Sequence, residues 1–141
     1  MKRTVLDFSL RTEAEGSLDD MGKLVEQALG CKLVRGNYHG MPVLKSMLLG
    51  MQVLLSEWRG LDGKETFQLH GLVDDPKFLE GSEPDLGVIG IDINQAIIDL
   101  LALRGAGDWH VPTRAEIEAE IEYGEEVRKD FLTTEDDSED L

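Results

Sequence analysis

Apolar and polar positions alternate along the block from Met41 to Trp58, the densest apolar stretch of the chain. Val43, Lys45 and Met47 fall on one side and Leu44, Ser46 and Leu48 on the other, the period of two that marks a strand. Gly50 interrupts the pattern, after which Met51, Val53 and Leu55 oppose Gln52, Leu54 and Ser56. An unbroken strand of that length is unusual, so two strands turning at Gly50 are expected, forming the central hairpin of an antiparallel sheet.

The same period predicts a first strand from Thr4 to Leu10. The spacing of Leu18, Met21, Leu24, Val25, Ala28 and Leu29 predicts a helix over 18–29, opened by Ser17 three residues before Asp20 and closed by Gly30. Cys31 to Arg35 reads as a short strand with a connection longer than two residues into the hairpin. Glu65 to Val73 continues the meander, Val88 to Ile91 gives a brief strand, and a helix follows through Ala96 to Leu103, capped by Asp92 or Asn94 and ended by Gly105. Apolar residues surround most of that helix, which predicts deep packing over the hairpin beside helix 18–29.

Residues 114–131 satisfy both periods. Ala115, Ile117, Ala119, Ile121 and Tyr123 alternate with glutamates as in a strand, while Ile117, Ile121, Gly124, Arg128 and Phe131 mark a helical stripe. Helix is favoured, because Ala and Glu are strong helix formers and Thr113 with Glu116 makes a capping box behind Pro112. The expected fold is α+β: an antiparallel sheet of about five strands packed with two to three helices, one domain over 1–132, then an acidic tail over 133–141 that buries too little to fold.

Charge changes what this fold is expected to do. The 141 residues carry 14 Lys and Arg against 29 Asp and Glu, a net charge of −15. Such a surface repels nucleic acid and anionic lipid and attracts cationic partners. The excess is concentrated at the end, where Arg114, Arg128 and Lys129 face twelve acids over 114–141. The single cysteine, Cys31, fits a reducing compartment, and Asp7 and Ser9 interrupt what would otherwise be a signal-like start, so the cytoplasm is the expected location.

No nucleophile elbow, phosphate-binding glycine loop, paired-cysteine zinc pattern or HExxH occurs, so neither a catalytic site nor a cofactor or metal is expected. His39, His70 and His110 are scattered, and only His70 has acids near it in sequence, Asp74 and Asp75, as a minor metal-enzyme alternative. The expected partner-binding residues are the acids of the loop 74–87 (Asp74, Asp75, Glu80, Glu83 and Asp85), Trp109, and Glu118, Glu122, Glu125 and Glu126 on the last helix. Trp58 is read as closing the core. Strand edges around 43–58, if uncovered, would permit a homodimer; otherwise a monomer is expected.

Gly30-Cys31-Lys32-Leu33, Tyr38-His39-Gly40-Met41-Pro42, Leu49-Gly50-Met51, Trp58-Arg59-Gly60 and Phe67-Gln68-Leu69-His70-Gly71, in a small acidic α+β chain, resemble the immunity proteins of bacterial polymorphic-toxin and contact-dependent growth inhibition systems. The resemblance implies binding of a cognate toxin C-terminal domain, often a cationic nuclease, whose active site or docking surface is blocked. An acidic adaptor of an unrelated basic protein is the alternative.

Overall fold

The computed structural model describes residues 3–38, 40–73 and 88–139, with side chains over 5–38, 40–72 and 90–128. The chain is α+β, with strands β1 (Arg3–Glu13), β2 (Val34–Tyr38), β3 (Met41–Leu48), β4 (Met51–Arg59), β5 (Glu65–Val73) and β6 (Val88–Asp92). Its helices are α1 (Leu18–Leu29), α2 (Asn94–Leu103) and α3 (Arg114–Glu139). The sheet order is β2-β3-β4-β5-β1-β6. The hairpin β3–β4 closes on Leu48 opposite Met51 and lies inside the sheet, covered by β2 and β5. The edges are therefore β2 and β6, not the 43–58 region considered for a dimer.

Two expectations about the sheet change. Tyr38 pairs with Met41, so the β2–β3 connection is two residues, shorter than expected. β6 runs parallel to β1, which makes a six-stranded mixed sheet rather than an antiparallel one of five. The chain leaves β5 beside the N-terminal half of β1 and enters β6 opposite Arg3, and from that end only a parallel path runs along β1.

One face of the sheet carries the core. Phe8, Leu10, Met51, Val53, Leu55, Phe67 and Leu69 meet Leu18, Met21, Val25, Ala28 and Leu29 of α1 and Ile97 and Leu101 of α2. Helix α1 is set by its ends: the Ser17 hydroxyl accepts from the Asp20 N–H at 3.0 Å, and Gly30 takes the left-handed conformation. Gly22 lets it lie against β3, since a Cβ there would fall 2.4 Å from Leu44 Cδ1. Helix α2 packs on α1 and β1 rather than over the hairpin, and Leu103 is 83% exposed, so its apolar girdle is only half used. It has no side-chain cap of its own; Asp92 Oδ1 accepts from the Asn94 N–H at 3.2 Å.

The Asn94 side chain completes a sheet edge instead. Beyond β6, the free edge of β1 is bonded group by group. The Asp7 carbonyl accepts from Ile93 N–H at 2.9 Å, the Ser9 N–H donates to Asn94 Oδ1 at 2.9 Å, and Arg11 exchanges both backbone bonds with His110. Buried backbone groups demand partners, and here one side chain and one isolated bridge stand in for a strand. Helical backbone is described as far as Glu139. Among the described residues no helix is long and apolar enough to cross a membrane.

Candidate functional site

The second face of the sheet is polar and only partly covered. Strand alternation puts Asp7, Ser9 and Arg11 of β1 on it, beside Gln68 and His70 of β5 and Leu54 of β4. The first turns of α3 lie across one end. Thr113 and Glu116 form the expected capping box, with bonds of 3.0 and 3.2 Å, and the Glu116 carboxylate also receives His110 Nε2 at 2.8 Å. One turn on, Glu120 Oε2 accepts from Arg11 Nε at 2.7 Å, both side chains only 8% exposed. The Trp58 indole donates to the Glu120 carbonyl at 3.1 Å and stands edge-on to Tyr123 with ring centres 5.0 Å apart.

Helix α3 is therefore moored by Glu116, Glu120, Tyr123 and Gly124; of the expected stripe Gly124 lies against Trp58, whereas Ile117 and Ile121 stay 42% and 56% exposed. The reason is Arg11. A guanidinium carried on a sheet face needs a carboxylate when it is covered, and the Glu116–Glu120 spacing supplies one while Glu116 takes His110.

From Arg11 a chain of bonds crosses the open face. Its Nη1 donates to Ser9 Oγ at 3.1 Å, Ser9 Oγ lies 3.0 Å from His70 Nδ1, and His70 Nε2 lies 3.4 Å from Gln68 Oε1. Arginine only donates, so Ser9 Oγ accepts from Nη1; in the imidazole tautomer protonated on Nε2, the Ser9 hydroxyl donates to Nδ1 and the Nε2–H donates to Gln68 Oε1. Burial, and then the positive charge of Arg11, lower the His70 pKa to about 4, so the ring is neutral near pH 7. A serine beside a neutral histidine has the makings of a nucleophile and its base, but the Ser9 hydroxyl is held by Arg11, and the chain serves the mooring of α3.

Next to the mooring an open groove runs along this face. Two adjoining cavities, of about 660 and 450 Å³, share Ser9 and Asn94. Ile117, Ile121 and Val111 wall one, and Leu54, Leu72 and Tyr38 the other. Asp7 and Asp92, directly opposite each other on paired strands, stand at its far end.

The residues expected to bind a partner are distributed unequally. Trp109 is corrected: its indole is 3% exposed and donates to the Ala106 carbonyl at 2.9 Å, so it is a core residue and offers no surface. It closes the core because the chain from α2 must fold back to bridge Arg11 through His110. Glu118, Glu122, Glu125 and Glu126 are exposed on the side of α3 turned from the sheet. Asp74, Asp75, Glu80, Glu83 and Asp85 lie outside the described residues, as does His39. Among the described residues no group of three or more His, Cys, Asp and Glu side chains is placed to hold a metal ion. The groove was missed in the sequence, although the alternation Asp7, Ser9, Arg11 against Phe8, Leu10, Thr12 was there to mark a polar second face.

Compared with protein-family models, with curated proteins and with solved structures, the chain matches none.

Proposed function

We propose that this protein is an immunity protein, acting in the cytoplasm by binding a basic toxin domain and covering its active site or docking surface. The observation that carries this reading is the exposed row Glu118, Glu122, Glu125 and Glu126 on α3. Among the described residues its only ion pair is Arg114 with Glu118, at 3.3 Å and exposed. Like charges four apart cost a helix a few tenths of a kcal/mol per pair, a cost that solubility alone does not require. Facing a cationic domain, the same row steers association and favours the correct partner. Binding rather than catalysis is also supported by the open face, where Arg11 holds Glu120 of α3 and donates to the Ser9 hydroxyl beside His70.

The test is co-expression with the product of the gene encoded immediately upstream. The expected result is rescue of growth and a purified complex that weakens as salt rises. Unimpaired growth of cells that express that product without this protein overturns the reading, as does toxicity that co-expression leaves unchanged.

A further inference from the structure

The groove on the open face combines exposed apolar side chains with a pair of carboxylates. Ile117, Ile121 and Val111 expose apolar surface into one of the two adjoining cavities and Leu72 and Tyr38 into the other, and exposed apolar surface gathered in this way marks interaction sites. At its end Asp7 and Asp92 are register partners on β1 and β6, and like charges at such positions destabilise a sheet; Asp92 Oδ1 accepts from the Asn94 N–H, and among the described residues no ion pair joins either carboxylate. Of the other charged groups lining the groove, Arg11 and Glu120 neutralise one another.

We infer that this groove takes an apolar segment of a second, cationic protein, with branched aliphatic side chains against Ile117, Ile121 and Leu72 and one arginine or lysine seated between Asp7 and Asp92. Charge selects this occupant over the others. A second copy of the chain brings a net charge of −15 and would be repelled. The chain's own segments 74–87 and 133–141 bring five acids each, against Lys77 as their single base, the wrong sign for the Asp7–Asp92 end. The inference rests on the reading above that the partner is a basic protein, and it assigns that partner's insertion point to the face opposite the core, beside the acidic row of α3.

The probe is a short amidated peptide of leucine and arginine, titrated into the full chain while backbone amide shifts are followed by NMR, with the leucine–glutamate peptide as its counterpart. Shifts are expected at Asp7, Ser9, Asp92, Ile117 and Ile121 for the arginine peptide alone. Asp7→Asn/Asp92→Asn should weaken binding about tenfold, the loss of one charge-assisted contact. Ile121→Ser, at an exposed site that tolerates a polar residue, should weaken it as well. Glu15→Gln/Glu65→Gln removes the same charge elsewhere on the surface and should leave binding unchanged. No shifts at saturating peptide, shifts spread over the whole acidic surface, or equal weakening by the Glu15/Glu65 control would each overturn the inference. Co-expression separates it from the functional reading. Protection that survives Asp7→Asn/Asp92→Asn sinks the groove and leaves immunity standing, whereas peptide binding in the groove by a protein that protects against no toxin does the reverse.

Discussion

Arg11 and Glu120, 109 residues apart in the chain, meet at 2.7 Å as a buried ion pair, and the guanidinium of that pair also fixes Ser9. With the Glu116–His110 and Trp58–Tyr123 contacts, this pair sets which side of α3 faces the sheet. It thereby leaves Ile117 and Ile121 open to the groove.

Breaking the pair from one side should cost more than removing it whole. Glu120→Leu or Arg11→Met alone leaves a buried, uncompensated charge and is expected to lower stability by about 3–5 kcal/mol. The double replacement should recover most of that loss. A urea-denaturation double-mutant cycle measures it, and additive single effects would mean that the two side chains do not interact.

Acid should weaken the fold in two stages. His70 is held at about 4 against an ordinary 6.5, so between these values the unfolded chain binds a proton that the folded protein refuses. Stability is then fully present above pH 6.5 and falls as pH drops through that window, by at most about 3 kcal/mol. Glu116 acts lower down. Burial works to raise its pKa, but the hydrogen bonds from Thr113 and His110 override it and hold the carboxyl below 4.5, so its contribution is present above 4.5 and lost as pH falls below. Denaturation midpoints of His70→Gln across this range should lose the upper slope and keep the lower one; an unchanged upper slope contradicts the assignment.

Phe8 lies over Gly71 on the neighbouring strand, and a Cβ at Gly71 would come within 2.1 Å of the Phe8 ring. The ring is buried. Gly71→Ala should destabilise by about 1–3 kcal/mol, with part of the loss restored by Phe8→Leu in the same chain. Calorimetry of the three variants tests it, and a neutral Gly71→Ala would mean that the ring does not cover the glycine.

Leu49 carries the one correctable strain in the central hairpin. It has φ +52° while 76% exposed, followed by Gly50 at φ +77°, the two positive angles of a type I′ turn. A leucine in that conformation pays a left-handed cost that asparagine largely escapes, so Leu49→Asn should stabilise by about 1 kcal/mol and raise Tm by a few degrees. A lowered Tm would show that the leucine makes contacts worth more than the strain.

The sequence by itself determined much of what has its cause within a few residues, though not the two-residue turn between β2 and β3. Ser17 and Gly30 bound α1 where their chemistry requires, Thr113 and Glu116 start α3, and the glycine after Leu49 divides the long apolar block into two strands. Only the tertiary structure decided the rest. The glutamates and isoleucines of α3 fit a stripe on either side of the helix, and nothing nearby in sequence states that the inward side must answer Arg11. Nor does local pattern show that the chain re-enters beside Arg3, which makes β6 parallel and brings Asp7 face to face with Asp92. A cap or a turn is settled by hydrogen bonds its own residues can make. A buried charge, or an edge left open, is settled by whichever distant segment satisfies it, and here, among the described residues, those segments cover the second face of the sheet only in part.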